Sequence, residues 1–335
     1  ATVEARFALA SMTKPLATVA VLQQVEAGVL DLQAPMTTYL PNRPLEVLER
    51  NEAGTLNRRA PKRAPTLHEL LTHTSGFSYE FLDGTLLAAV QAGAVPSLFA
   101  DPVGGLQAPL VFEPGEAWGY GIGIDIAGQI LEAALGKTLD GILAEQIFEP
   151  LGMHDTGFSP RPEQLDRFAS CYVRDPQKRV GLHDDGQDSA FADRSFFSGG
   201  GGLLSTAADY LRFCRMLLAG GSLDGQRIIS RRTLEFMVGN HLPGGGDIAS
   251  LSMSGFSETH NDGVGFGLGF ACKVDPLRNG YPASVGTYYW GGMASTLFWI
   301  DPAEDLIVLF LTQLIPSSTF NFRGQLEALV YAALE

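Results

Sequence analysis

The residues best suited to chemistry stand near the start of the chain, where Ser11 and Lys14 lie three positions apart in RFALASMTKPLATVAVLQQ. On a helix, this spacing puts both side chains on one face, within reach of each other. A serine hydroxyl is a weak nucleophile, and a lysine whose pKa is lowered by burial or by a helix N-terminus can serve as its base. The alternative is that Ser11 caps the helix and Lys14 points to water. The two residues alone do not decide between these interpretations.

Two further segments carry residues that would suit the same site. In FEPGEAWGYG, Tyr120 stands on a glycine-flanked turn, and a phenol near a cationic lysine can take part in proton transfer. Simple packing is the alternative role for a single tyrosine. In YWGGMAST, Gly291 and Gly292 end a predicted strand. Glycines there mark a bulge or a close approach to the backbone, and a substrate lying along this edge would be such a neighbour.

The segment after Ser11 predicts a helix over residues 15–28, opened by Pro15 and closed by Gly28. It is apolar on nearly every side, which indicates a buried central helix that would hold the serine and the lysine at its entrance. Further helices are predicted from the capping-box pair Thr66 and Glu69, over 124–136 with Gly136 at its end, after Ser205 or Thr206, and over 323–334.

The last part of the chain contains segments typical of strands, namely 264–274, 284–292, 295–301 and 305–313. Short turns separate the last three, which favours antiparallel neighbours. Residues 175–198 are polar and lack periodicity, so we expect a surface loop there. A late antiparallel sheet with helices before and after it predicts an α+β fold.

Composition excludes several classes of function. With 335 residues, 45% of them hydrophobic, the chain can bury a large core, and it has no apolar run long enough for a membrane span. A net charge of −14 argues against nucleic acid as a partner. The cysteines lack CxxC spacing and are expected to be free thiols, and the two histidines of HELLTH are not spaced as metal ligands. We therefore predict no metal and no cofactor.

Taken in order, the motifs resemble those of a known superfamily. RFALASMTKPLA, TLHELLTHTSGF, FEPGEAWGYG, GGGGLLSTAADYLRFCRMLLAGG and YWGGMASTLFWIDP are similar to segments of the serine β-lactamases and penicillin-binding proteins. The similarity is to the branch of class C β-lactamases and family VIII carboxylesterases. It implies an antiparallel sheet flanked by helices, with a mainly helical domain inserted at 31–198. The sheet domain would combine residues 1–30 and 199–335, and the active site would lie between the two domains.

The resemblance also implies roles for individual residues. Ser11 would be the acylated nucleophile, Lys14 its proton acceptor, and Tyr120 a partner in proton transfer. The third motif would be Trp290-Gly291-Gly292, against which the substrate lies. Backbone N–H groups of Ser11 and Met293 would form the oxyanion hole, which stabilises charge developing in the transition state.

Two positions depart from the β-lactamase pattern. Ile122 stands where the second motif commonly has asparagine, and Trp290 stands where the third motif commonly has lysine or histidine. A site without those groups should bind an anionic β-lactam or a peptide C-terminus poorly and favour a neutral acyl ester. Trp-Gly-Gly motifs occur in esterase and acyltransferase members of the branch.

We therefore predict a serine carboxylesterase that cleaves short-chain esters through an acyl-enzyme, with a small-molecule ester as its partner. A β-lactamase or D-amino-acid peptidase or amidase of the same fold is one alternative. A non-catalytic relative that serves binding or assembly is another. No serine has the G-x-S-x-G context of an α/β-hydrolase.

The start of the chain differs from that of the proteins it resembles. Ten residues precede Ser11, whereas relatives have several dozen there, forming a helix and two strands of the sheet. If those elements are lacking, we expect an exposed sheet edge that is open to pairing. Neither an initiator methionine nor a signal-like segment is present. We expect a soluble protein, with a cytoplasmic location slightly favoured over a periplasmic or secreted one, and leave the oligomeric state open.

Overall fold

The structure is a computed structural model that describes residues 2–159, 162–185, 196–253 and 260–334. At its centre lies helix α1 (Thr13–Glu26), in which residues 13 to 22 are all buried. The predicted buried helix is therefore confirmed, with its bounds two residues earlier at each end. Gly28 follows it with a φ of 72°, a left-handed conformation that glycine adopts without strain.

Helices and strands are mixed along the rest of the chain. The helices are α2 (Leu67–Leu71), α3 (Gly84–Gln91), α4 (Pro102–Gly105), α5 (Gly123–Leu135), α6 (Leu139–Leu143), α7 (Glu149–Leu151), α8 (Ala207–Leu218), α9 (Arg231–Val238), α10 (Ile248–Leu251), α11 (Pro276–Asn279) and α12 (Phe322–Tyr331). The strands are β1 (Phe7–Ala8), β2 (Val47–Arg50), β3 (Leu56–Arg59), β4 (Cys171–Arg174), β5 (Val180–Asp184), β6 (Leu204–Ser205), β7 (Ser222–Leu223), β8 (Gln226–Arg227), β9 (Val264–Phe266), β10 (Ala271–Lys273), β11 (Tyr288–Gly291), β12 (Leu297–Asp301), β13 (Leu306–Phe310) and β14 (Leu314–Ile315).

The largest sheet is antiparallel and has the strand order β13-β12-β11-β10-β9. The predicted antiparallel neighbours β11, β12 and β13 are therefore confirmed, with Tyr289 opposite Trp299 and Trp299 opposite Val308. On one face of the sheet, Phe298 of β12 packs on Tyr210 of α8, with ring centroids 5.3 Å apart. Strand β13 forms one edge of this sheet, and its residues are partly exposed.

Residues 264–274 do not form the single strand that their pattern predicts. They form a hairpin of β9 and β10, with Ala271 opposite Phe266. Gly269 allows the reversal, because its φ is +80° and a Cβ on it would lie 2.5 Å from Thr18 Oγ1 of α1. The close approach to α1, rather than the local sequence pattern, decides where the chain turns.

Part of the predicted surface loop at 175–198 is also a strand. Strand β5 pairs antiparallel with β4, which pairs in parallel with β14. Residues 180–183 are exposed, so the strand buries no apolar face. Its sequence therefore lacks the alternation of apolar and polar residues that predicts a half-buried strand. Residues 186–195 lie outside the described residues.

Predicted helix ends are confirmed where a side chain or a glycine fixes them. Thr66 and Glu69 form both hydrogen bonds of a capping box, Thr206 accepts a hydrogen bond from Asp209 N as the cap of α8, and Gly136 ends α5 with a φ of 63°. Together with the sheet, these helices give the predicted α+β class. Within the described residues, no helix combines the length and the apolar character needed to cross a bilayer.

Helix α12 is tied to the sheet by a buried ion pair. The Lys273 side chain of β10 is 4% exposed and its ammonium forms an ion pair with Glu327 of α12, whose side chain is 12% exposed. The same ammonium donates to Asn279 Oδ1 at 2.9 Å. Burial lowers the pKa of Lys273, although the nearby carboxylates oppose this, and burial raises the pKa of Glu327. The charged form of each of these two side chains is therefore stabilised by the other.

Replacing Glu327 with alanine should lower the free energy of unfolding by about 3–5 kcal/mol, because it leaves the Lys273 ammonium buried without its counter-ion. Adding Lys273→Met should recover most of this loss. Urea unfolding measures both effects. The control is Glu235→Ala, which breaks exposed ion pairs with Arg231 and Arg232 and should cost less than about 1 kcal/mol. Equal losses in the single and the double variant would contradict the interpretation.

Candidate active site

Ser11 lies in a 3₁₀ turn, Ala10–Met12, that leads directly into α1. The preceding Ala10 has a φ of 47°, a left-handed conformation that is uncommon for a residue with a Cβ. The turn is held from both sides, because Leu9 N donates to Leu203 O at 2.9 Å and Thr296 Oγ1 donates to Leu9 O at 3.2 Å. The surrounding structure therefore maintains a strained backbone next to Ser11, as is typical of functional sites.

Lys14 is fully buried, and its ammonium donates to oxygens of the protein. Its Nζ donates to Ser11 Oγ at 3.3 Å, to Tyr79 Oη at 3.0 Å and to the backbone oxygen of Gly200 at 2.7 Å. An ammonium has three hydrogens, so each has an acceptor. Lys14 therefore points at Ser11 and not at solvent.

The pKa of Lys14 does not follow the expectation from the sequence. Burial lowers the pKa, but the phenols of Tyr120 and Tyr79 and the carboxylate of Asp125 raise it by more, so that it lies above its ordinary value. This direction favours the ammonium form of Lys14, which has no lone pair to accept a proton. The expected direction is wrong because these groups come from distant parts of the chain and cannot be inferred from the apolar stretch around Lys14.

Tyr120 is buried at the turn that precedes α5 and lies against Lys14. Lys14 Nζ stands 4.7 Å from the centroid of the Tyr120 ring. From the other side, Trp290 Nε1 of β11 donates to Tyr120 Oη at 3.3 Å. The structure thus brings Ser11, Lys14, Tyr120 and Trp290 into one cluster, in which an ammonium and an indole N–H both lie beside the phenol.

The glycines of the third motif lie at the turn between β11 and β12. A Cβ on Gly292 would stand 2.4 Å from the oxygen of Leu9, and one on Gly291 would stand 2.1 Å from Arg323 Nη2. A close approach to this backbone was predicted, but the neighbours are other parts of the protein. Met293 follows at the tip of the turn and is 43% exposed. Among the described residues, its N–H donates no backbone hydrogen bond.

Ile122 is buried and contributes an apolar wall behind Tyr79. It lines a small cavity together with Leu86, Val90 and Leu98, next to the Tyr79 side chain. The polar cluster of Ser11 and Lys14 is not among the residues that line this cavity. The structure therefore groups Ile122 with the apolar residues behind the cluster.

Asp125 and Gly200 position Lys14, and the sequence interpretation missed both. The buried carboxylate of Asp125 on α5 accepts hydrogen bonds from Gly200 N at 3.0 Å and from Ser198 Oγ. Gly200 in turn presents its backbone oxygen to Lys14. Two signals were present in the sequence, namely a single carboxylate between Ile124 and Ile126 and the glycine run at 199–202.

His73 and Tyr79 are further residues that the sequence interpretation missed. The His73 ring lies edge-on to the Tyr120 ring, with centroids 4.7 Å apart, and its backbone φ is 58°. Burial, with the charge of Lys14, holds the pKa of His73 well below its usual range, so the imidazole is neutral. Both residues fall within or just after LLTHTSG, a segment that already supported the family resemblance.

The cluster has side chains suited to acyl transfer. It combines a hydroxyl, an ammonium that contacts this hydroxyl, and a phenol beside two donors that would stabilise its phenolate, the form that could act as the base a serine nucleophile needs. In the part of the chain that the structure describes, no group of three or more His, Cys, Asp or Glu side chains is arranged to hold a metal ion.

Comparison with known proteins assigns the family. Residues 1–332 match the family model described as Beta-lactamase. The chain belongs to the beta-lactamase family. Esterase EstB of Burkholderia gladioli is 32% identical over 330 residues, which cover 91% of this chain and 76% of that protein. Protein Rv1367c of Mycobacterium tuberculosis is 36% identical over 318 residues, which cover 92% of this chain and 78% of that protein.

A solved structure shows the same fold. The unliganded selenomethionyl form of simvastatin synthase (LovD) from Aspergillus terreus superposes with a TM-score of 0.85 at 28% identity, covering 100% of this chain and 85% of that one. The predicted resemblance and the predicted fold are therefore confirmed. Family members include serine hydrolases and acyltransferases, esterases among them.

Substituting Gly200 with alanine should lower kcat for p-nitrophenyl butyrate by about 10- to 100-fold, since small displacements of catalytic groups have effects of this size. A Cβ on Gly200 would stand 2.2 Å from Asp125 Oδ2, so either the carboxylate or the oxygen that holds Lys14 must move. Steady-state kinetics measures the loss.

Gly201→Ala is the matched control, because the nearest atoms to its Cβ are 3.9 Å away. Thermal unfolding of both variants verifies that they are folded. If folded Gly200→Ala and Gly201→Ala proteins hydrolyse the ester at equal rates, the Asp125–Gly200 contact does not position Lys14.

Proposed function

We propose that this chain is a serine esterase that cleaves short-chain carboxylic esters through an acyl-enzyme on Ser11. The contact of 3.3 Å between Lys14 Nζ and Ser11 Oγ, buried beside Tyr120, carries this proposal. The relatedness to a protein named as an esterase supports the choice of ester over amide.

In the proposed acylation step, Tyr120 acts in its phenolate form: Ser11 Oγ attacks the ester carbonyl carbon while its proton passes to Tyr120 Oη, which becomes a neutral phenol. Lys14 keeps its proton, since its pKa is raised. The ammonium of Lys14 and Nε1 of Trp290 stabilise the negative charge that Oη carries before it takes the proton and regains when it passes the proton on. As the tetrahedral intermediate collapses, the bond to the leaving oxygen breaks and the proton moves from Tyr120 to the departing alcohol. Water then repeats the sequence and releases the acid and Ser11.

The carbonyl oxygen becomes negative in both steps and needs donors that are already oriented. We assign this role to the backbone N–H groups of Ser11 and Met293. The accessible turn at Met293 and the absence of a backbone acceptor for its N–H within the described residues support the assignment. Donors of this kind stabilise the transition state more than the ground state.

The charges around Ser11 favour a neutral substrate. Within the cluster of Ser11, Lys14, Tyr120 and Trp290, Lys14 is the cation, and its three hydrogens are donated to protein oxygens. The carboxylate of a β-lactam would therefore have to displace one of them. Trp290 supplies apolar surface in the cluster where the β-lactamase pattern has a polar group, and Ile122 adds no polar group behind Tyr79.

Acyl transfer to an alcohol is the second candidate function. It uses the same acyl-enzyme and differs in the acceptor, and the similarity to a protein named as a methylbutanoyltransferase favours testing it. Adding a short alcohol to the hydrolysis reaction and measuring the new ester by chromatography distinguishes transfer from hydrolysis.

Ser11→Ala should abolish p-nitrophenyl butyrate hydrolysis, while the wild-type protein should give a fluorophosphonate adduct on Ser11 by mass spectrometry. The control is Ser230→Ala, which removes a serine at the cap of α9 whose N–H contacts Glu26. Glu26 is the last residue of α1, whereas Ser11 lies just before its start. The length of α1, about 20 Å, therefore separates Ser230 from Ser11. An active, folded Ser11→Ala protein would contradict the proposed mechanism. Turnover of a chromogenic cephalosporin that rivals the ester would overturn the proposed specificity.

Trp290→Phe should lower kcat/KM by about 10-fold, because it removes a hydrogen-bond donor from a group that becomes charged. The rising limb of the pH–rate profile should also move to higher pH, since the negative charge at Tyr120 Oη is less well stabilised. Trp299→Phe is the matched control, because the buried Trp299 indole N–H has no hydrogen-bond partner among the described residues. A pH profile that shifts equally in both variants would contradict the role of Trp290.

A further inference from the structure

Exposed aromatic rings extend outward from the buried Lys14. Tyr79 contacts Lys14 and is 8% exposed, whereas Phe81 is 53% exposed and Phe99 is 62% exposed. Single exposed aromatics are common on protein surfaces, but contiguous ones beside a catalytic cluster indicate a binding surface. We refer to Tyr79, Phe81 and Phe99 together as the aromatic shelf.

The rings of the aromatic shelf are in contact. Tyr79 and Phe81 stack with centroids 5.1 Å apart and an angle of 13° between their planes. Phe81 and Phe99 follow with centroids 5.8 Å apart and an angle of 39°. The three rings thus form one continuous aromatic surface, and a flat apolar group interacts favourably with such a surface.

The two loops that carry the shelf are joined by a carboxylate. Glu80 lies between Tyr79 and Phe81 in sequence, and it accepts hydrogen bonds from Ser97 Oγ at 2.6 Å and Leu98 N at 2.8 Å. These residues directly precede Phe99. The shelf is therefore preorganised, so that a ligand does not have to order it on binding.

The position of the proton carriers decides which half of an ester meets the shelf. In the proposed mechanism, the leaving alcohol receives its proton from Tyr120, and the Tyr120 and Tyr79 rings are 5.3 Å apart. The carbonyl oxygen instead faces the N–H groups of Ser11 and Met293. The leaving oxygen therefore stands by Tyr120, and because Tyr79 adjoins Tyr120, the group bonded to this oxygen can continue along Tyr79 toward Phe81.

We propose that the aromatic shelf binds the alcohol half of the substrate and that this half is a flat, uncharged ring system, such as an aryl or fused-ring alcohol. The inference rests on the proposed function, which supplies the direction of the ester. The shelf consists of uncharged rings, and the net charge of the chain is −14, so an anionic alcohol half is disfavoured.

Three esters test the proposal. 2-Naphthyl butyrate places the rings on the alcohol half, ethyl 2-naphthoate places them on the acyl half, and ethyl butyrate has no ring. In a Phe81→Ala/Phe99→Ala protein, kcat/KM for 2-naphthyl butyrate should fall about 10-fold or more, in line with the loss of two ring contacts. The values for ethyl butyrate and ethyl 2-naphthoate should change less than about twofold. Phe236→Ala removes an equally exposed phenylalanine, 51% accessible on α9, and should change none of the three.

A binding measurement separates failure of the shelf from failure of the proposed function. 2-Naphthol should bind the Ser11→Ala protein, measured by its fluorescence, and about 10-fold more weakly when Phe81 and Phe99 are also alanine. If the wild-type chain hydrolyses no ester but this difference in binding is found, the shelf stands and the esterase function fails. Naphthol binding that is absent or unaffected by the substitutions overturns the shelf. Losses that are equal for all three esters, or confined to ethyl 2-naphthoate, overturn it as well.

Discussion

The arrangement of the whole site follows from one buried charge, the ammonium of Lys14. A cation without water must find protein acceptors for its hydrogens, because an unpaired buried charge is very costly. Lys14 finds them on Ser11, on Tyr79 and on the backbone of Gly200. These groups come from three separate stretches of the chain, namely the start of α1, the loop after α2 and the glycine run at 199–202. The Lys14 side chain therefore links these three stretches. Asp125 completes the arrangement by fixing Gly200 and by adding a negative charge nearby.

The second constraint is the close approach of the β11–β12 turn to the backbone before Ser11. Gly292 has no room for a side chain beside Leu9, and Thr296 Oγ1 donates to the backbone oxygen of Leu9. The turn therefore sets the distance between Ser11 and Met293. It also supports the left-handed conformation of Ala10, which would be unfavourable in an isolated peptide.

Sequence patterns predicted the elements whose burial or whose end residue is visible in the local sequence. Helix α1 is buried on all sides and its apolar run shows this directly, and α5 ends at Gly136 because glycine tolerates a left-handed cap. Strand β5 was missed, because it is exposed and is held by backbone pairing with β4. The hairpin of β9 and β10 was missed because its turn depends on contact of Gly269 with Thr18, which lies about 250 residues earlier.

The sequence by itself determined the family, the α+β class and the candidates Ser11, Lys14 and Tyr120, because motif order and residue type are local properties of the chain. Only the tertiary structure decided the protonation state of Lys14 and the partners of Tyr120. The pKa of a buried group depends on every charge and dipole around it, and here those are supplied by Tyr79, Asp125 and other residues far away in sequence. Burial alone would have made Lys14 a base, whereas the phenols and the carboxylate that surround it keep it charged.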